Sequence, residues 1–506
     1  MSEAKIVLFL GLMVCSLISW ANSRNSPNES EIVVVDYFLT HNGDHLVGLI
    51  TAGVDSNYPG ATRATVDAIL PPHSRPLLES HQSNLATPDR YRASSAGCRA
   101  LSDWETRQLR LQPGECRSFV VTLNQATNRW GMRAADPHNR LWQLQADSWL
   151  PRANLPVRLQ WHLPQGFQIS SPWPFEQDQQ PPKFTVEPSP LNKRGVLIFG
   201  EFSAVKTTLA GMELDIAYLG NEQNYEKIYL WLTNNLRQLS ATLGGQPIPS
   251  LQVIISPANS TRSRSPVPFG HVIRAGNHSV QYFVDTHSSY SALMADWTAA
   301  HEFSHLLLPF LGTSGKWVSE GFASYYQNLL MAHLGEYSQE QAWRKLLAGF
   351  ARAKSEWPVV SPNDSVYRNL GQSRMMIYWS GAAFALLADV EIRKQSEGRQ
   401  SLNTVLKQLA DCCLPSSEVW HMTELFNQLD EFTPTPIFMP LYRKYANAKG
   451  LPDVEPTLKE LGVSHKHLRR INLVDAPLSA MRDQIMSRPV TDRVSGNPQT
   501  LDFGVP

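Results

Sequence analysis

No excess of either charge exists in these 506 residues: 45 Lys+Arg stand against 45 Asp+Glu, a formal net charge of zero. That balance offers no global attraction to nucleic acid or to an anionic membrane, and neither is expected as a partner. Cysteine is scarce at five, and no cysteine cluster has the spacing of a metal site. Long apolar runs are missing except at residues 6–20, which excludes a polytopic membrane protein. Internal repeats and strong low-complexity segments are also absent. What remains is 42% hydrophobic and 18% charged, the composition of a folded chain with a large core. The length suggests about three domains, and 35 prolines with 14 tryptophans suggest a loop-rich build.

The single apolar run (IVLFLGLMVCSLISW) is short for a membrane span and has the length of a signal-peptide core. Lys5 precedes it, and Ala21, Asn22 and Ser23 follow with small residues where a signal peptidase reads. Cleavage is expected after Ser23, giving an exported chain, periplasmic or secreted, without stable membrane insertion. Lipid attachment at Cys15 is the alternative, opposed by the bulk of Val14. Of the other four cysteines, Cys98 and Cys116 either close a loop or remain thiols. Cys412 and Cys413 are adjacent, so a bond between them is strained and not expected to be structural.

The fold class read from the sequence is multidomain α+β. Residues 24–204 form a β-rich, sandwich-like N-terminal domain after the 1–23 signal peptide. Within it residues 157–163 (VRLQWHL) alternate with the period of a half-buried strand, and residues 177–182 (QDQQPP) read as a surface loop. Near residue 205 the period changes. Ile228, Leu232, Leu236, Leu239 and Leu243 recur at helical spacing until Gly244 and Gly245. Residues 251–255 and 279–285 read as strands, one long helix is expected over residues 291–308, and another begins near Ser319. Residues 205–345 are assigned to the catalytic domain, 346–465 to an α-helical domain, and 466–506 to a tail lying on the surface or loose.

The chemistry is carried by residues 301–305 (HEFSH). On a helix, residues four apart share a face, so His301 and His305 can offer two imidazoles to one zinc ion. Glu302 sits one position round, close enough to act on a metal-polarised water without ligating the metal. A carboxylate there can take the water's proton and later pass it to a leaving amine. A catalytic zinc needs a third protein ligand. Glu320, in residues 317–326 (WVSEGFASYY), follows His305 after fourteen residues that include Gly312 and Gly315, so a returning helix can bring it to the metal.

HExxH followed by WVSEGFASYY resembles the gluzincin metallopeptidases. It is most similar to the glycyl aminopeptidase family, a relative of the alanyl aminopeptidase family. The resemblance continues through residues 378–393 (YWSGAAFALLADVEIR) and Ser401-Leu402, weakens over 441–463, and covers roughly residues 205–465. It implies a thermolysin-like catalytic domain, peptide or protein substrates and bound Zn2+. It also implies that Tyr378 steadies the oxyanion. Such enzymes hold the substrate amine on a glutamate upstream of the zinc helix, whereas here no glutamate occurs from Arg262 to Ala300. Asn277 or His278 stands at the corresponding place and is the candidate substrate contact. The family's C-terminal PDZ domain is expected to be missing, and the loop from His305 to Glu320 is shorter than in relatives. His271, His287, Asp285 and Asp296 are weaker candidates near the metal, and Tyr325 and Tyr326 read as packing. The expected function is an exported zinc metallopeptidase acting as an aminopeptidase. Its alternatives are an endopeptidase without the amine anchor, or a zinc-containing peptide-binding protein without turnover.

Overall fold

The computed structural model describes residues 31–489 apart from 41–44, 55–65, 73, 78, 102–107, 124–134, 137–139, 177–179, 221–224, 259–264, 357–358, 369 and 468–469. The expected signal segment, Cys15, the Ser23 cleavage point, part of the 177–182 loop and the end of the tail lie outside the described residues.

The N-terminal part is built from strands, as the alternating pattern requires. Glu31–Leu39 lies between Val157–His162, which runs parallel to it, and the antiparallel His45–Val54; Cys116–Thr122 extends the sheet. Val157, Leu159 and Trp161 point inward while Arg158 and Gln160 lie at partial exposure, the period of two that a one-sided core imposes. A second sheet carries Leu141–Gln145 and Val196–Gly200. Trp161 of the first sheet packs 5.4 Å from Phe199 of the second, ring centre to ring centre, so the two sheets close on one aromatic core. Cys98 and Cys116 are bonded.

Past residue 202 the chain opens with an antiparallel hairpin that the period reading did not anticipate: β1 (Ser203–Leu209) and β2 (Met212–Tyr218). Ala210 and Gly211 turn it with φ of 50° and 83°, the left-handed pair of a tight two-residue loop. Helix α1 (Glu226–Leu243) follows and ends on left-handed Gly244, as the sequence indicates. Three further strands, β3 (Ser250–Pro257), β4 (Phe269–Ala275) and β5 (Asn277–Val284), complete a five-stranded sheet in the order β1-β2-β3-β5-β4. β4 is therefore an edge.

One face of this sheet packs on the N-terminal part. A polar row crosses it in register, Lys206–Asp215–Gln252–Ser279. Gln252 Nε2 donates to Ser170 Oγ at 3.0 Å from the other part, and Ser279 Oγ donates to Gln252 Oε1 at 2.6 Å. The opposite face lies under the helices.

The single helix expected over residues 291–308 is instead broken. Helix α2 (Tyr290–Ala295) stops at Asp296, whose backbone is extended (ψ 129°), and α3 (Thr298–Ser304) begins afresh. The Asp296 carboxylate causes the break by accepting the Thr298 N–H at 2.8 Å and the Ser265 hydroxyl at 2.7 Å, a cap that competes with helix continuation. Next come α4 (Lys316–His333), α5 (Gln339–Glu356), α6 (Leu370–Gln395) and α7 (Leu402–Cys413). One continuous apolar core runs from Leu209 to Met486. Residues 373–395 are long and apolar enough to cross a membrane, but 83% of their most apolar window is buried inside the fold.

Two expectations are corrected here. Cys412 and Cys413 are bonded to each other, in the last turn of α7 where the chain leaves the helix at Leu414 and regular geometry is no longer enforced. The chain after residue 465 is not merely a surface tail. Val463–His467 pairs with Arg470–Leu473, and the helix Ser479–Met486 drives Ile485 and Met486 into the core.

Candidate metal and catalytic site

Helix α3 supplies the histidines. His301 and His305 stand one turn apart, with ring centres 5.1 Å apart; His305 opens the 3-10 turn that ends the helix. The return to α4 passes through Gly312 at φ 62°. It closes at Gly315, where an added Cβ would lie 2.2 Å from Leu311 Cβ. Glu320, in the second turn of α4, then faces both rings: its Oε2 is 3.4 Å from His301 Nε2 and 3.6 Å from His305 Nε2.

One ligand atom from each of the three residues lies within 4.8 Å of the others. Donor type and convergence suit zinc, which takes imidazole nitrogen and carboxylate oxygen in a tetrahedral set with one open position. The far sides of the rings are also fixed. His301 Nδ1 lies 3.2 Å from Gln327 Oε1 and His305 Nδ1 3.1 Å from Ser319 Oγ; the tautomer in which each Nδ1 donates leaves both Nε2 lone pairs free for a metal.

Glu302 is buried beside this cluster, 8% exposed. Burial raises its carboxyl above the usual range, against the pull of His301 and His305. Gly270 of the edge strand lies over it; an added Cβ there would come within 2.8 Å of Glu302 Cγ. Burial would also raise Glu320, but the two histidine rings beside it outweigh burial and hold that carboxyl well below normal. His301 moves the other way: Glu320, Glu302 and Gln327 outweigh burial and raise it. Tyr378 of α6 stacks on the His301 ring at 5.8 Å and 16°. Burial first, then Glu320 and Glu302, raise its phenol, so the O–H stays protonated.

Helices α4 and α6 reach this arrangement because glycine faces glycine. A Cβ on Gly321 would lie 2.2 Å from Gly381 Cα, and one on Gly381 would lie 2.0 Å from Trp317 O. Farther along, Asp389 of α6 accepts the Tyr325 hydroxyl at 2.8 Å, Arg393 Nε at 3.0 Å and the Leu402 N–H at 2.8 Å. Tyr325 is thus structural, and Tyr326, bonded to Asn403, is likewise.

The candidate substrate contacts do not assemble. His278 is 2% exposed, and burial with the Arg274 charge lowers its imidazole to about 3. Its Nε2 faces Arg274 Nη1 at 3.1 Å, so it supports that guanidinium and does not meet a substrate. Arg274 in turn donates to Leu308 O at 2.8 Å and to His305 O, tying the edge strand to the end of the ligand helix. Asn277 lies at the far end of the β4–β5 hairpin, opposite Ala275, where Gly276 meets Asn192. His287 is exposed beside Asp285, Asp296 caps α3, and His271 stacks on Phe269. Sequence reasoning missed Gln327, Ser319 and Arg274. Gln327 alone had a readable signal, since seven residues from Glu320 is two helical turns on one face.

No protein-family model matches the chain, and no curated protein matches it significantly. Solved structures do. An aminopeptidase N family protein from Idiomarina loihiensis superposes with a TM-score of 0.57 at 14% identity, covering 85% of this chain and 78% of that one. An M1 zinc metallopeptidase from Deinococcus radiodurans gives 0.46 at 16%, covering 84% and 95%. A variant of an M1 zinc metallopeptidase from that organism, bound to a Tyr-Ser-Ala substrate, gives 0.46 at 14% over the same shares. At such identity the likeness speaks for architecture: this chain shares its fold with the aminopeptidase N family structure.

Proposed function

We propose that the protein is an exported zinc metallopeptidase acting as an aminopeptidase, with His301, His305 and Glu320 holding zinc. The observation that carries this reading is the convergence of those three side chains beside a buried Glu302 and a Tyr378 stacked on His301. Zinc there supplies Lewis acidity, polarising a scissile carbonyl and a water molecule. Glu302 accepts the proton of the attacking water and delivers it to the departing amine. Tyr378 O–H donates to the oxygen on which negative charge develops. Gln327 and Ser319 keep both imidazoles in the ligating tautomer. Export rests on the apolar run of residues 6–20.

A second reading, an endopeptidase, is favoured by one observation. The edge strand carries no carboxylate for a substrate amine; Arg274 stands there instead, turned inward. The zinc-loaded mature chain, given short peptides with free and with acetylated amines, separates the two. Stepwise cleavage of the free set alone supports the aminopeptidase, and internal cleavage of acetylated peptides the endopeptidase. Silence in both sets with zinc bound overturns the hydrolase reading.

A further inference from the structure

We infer that Trp297 forms the wall of a substrate subsite beside the metal, selecting a large apolar or aromatic side chain next to the scissile bond. This rests on the metallopeptidase reading and names the substrate class it implies.

Trp297, His301 and His305 lie four residues apart, one stripe along the face of α3 that presents the ligands. The indole stands edge-on to His301, ring centres 5.6 Å apart at 83°, one helical turn before that ligand. It is 44% exposed. The other described tryptophans are buried or half-buried, so a large apolar ring open to solvent beside a candidate metal ligand is the exception in this fold. Its backbone has no freedom to withdraw it. Asp296 is held by Ser265 and the Thr298 N–H, and Trp297 O accepts the His301 N–H at 3.0 Å. A peptide whose carbonyl sits at the metal brings its neighbouring side chain within a residue's length of this ring. Stacking there removes apolar surface of both partners from water.

The test uses peptides identical except for Ala, Leu, Phe, Lys or Asp beside the scissile bond, with wild type, Trp297→Ala and Trp297→Phe. Wild type is expected to favour Phe over Ala roughly tenfold in kcat/KM, through KM. Trp297→Ala flattens that preference with zinc content unchanged, and Trp297→Phe restores most of it. Equal losses on every peptide, or an unaltered preference, overturn the inference; a preference for Lys replaces the apolar occupant with a cationic one and overturns it too. Phenylalanine and alanine hydroxamates, titrated into the zinc-loaded protein, read the same preference without turnover. Their discrimination therefore survives if the peptidase reading fails, and its absence in wild type overturns the subsite.

Discussion

Gly321 and Gly381 meet where α4 crosses α6, so closely that a methyl group on Gly321 would lie 2.2 Å from the Gly381 Cα. Glu320 precedes the first glycine, and Tyr378 lies one turn before the second. The contact therefore sets the spacing between a candidate metal ligand and a candidate oxyanion donor. Gly381→Ala puts its Cβ 2.0 Å from Trp317 O, a backbone atom that cannot swing away. The helices must part, at a cost of about 1–3 kcal/mol or more. A displacement near 1 Å at the site is expected to lower kcat roughly a hundredfold. Thermal melting and steady-state kinetics on the purified variant check both; wild-type kcat would refute the spacing role.

Gly270→Ala tests the strand that covers the base. The new methyl would crowd Glu302 Cγ at 2.8 Å and Tyr282 Cδ1 at 3.0 Å. Turnover is expected to fall by about two orders of magnitude, while zinc content, measured by elemental analysis, stays at the wild-type level because no ligand moves.

Tyr378→Phe removes the hydroxyl and keeps the ring on His301. Loss of one oxyanion donor is expected to lower kcat by roughly a hundredfold with little change in KM. A change confined to KM would mean that Tyr378 binds substrate and does not stabilise the transition state.

Much of this site was legible in the sequence because local rules govern it. His301, Glu302 and His305 are bound to one another by helical spacing, and Glu320 by the motif around it. The break at Asp296 had its signal too, an aspartate two residues before a helix, but the apolar periodicity on both sides outvoted it. Other features arise only when distant segments meet. Nothing local tells that Arg274 reaches the carbonyl of His305, that His278 turns inward to Arg274, or that Gly381 must lack a side chain because of Trp317. The β1–β2 hairpin was hidden for another reason: Met212–Tyr218 is buried along most of its length, so its alternation is incomplete.

Asp215 should make stability depend on pH. Burial raises its carboxyl to about 6, against the pull of Lys206, Ser170 and Ser171, and both oxygens are shielded from solvent. The folded state thus holds this proton more tightly than the unfolded chain. The resulting stability is full below the unfolded value of 3.8 and is lost as pH rises to about 6. Above that, the buried charge costs roughly 3 kcal/mol at most. Asp215→Asn is expected to raise the melting temperature at pH 7.5 and to leave it nearly unchanged near pH 4. Denaturation scans across that range check the sign, and a stabilisation independent of pH would contradict it.

The most direct test of the central claim compares wild type with Glu302→Gln after zinc loading, measuring bound metal and peptide hydrolysis on the same samples. Glutamine keeps the shape of the side chain and cannot take a proton. The account predicts equal zinc in both proteins and hydrolysis by wild type alone. Hydrolysis by the Glu302→Gln protein at a comparable rate, or a wild type that binds no zinc, would contradict it.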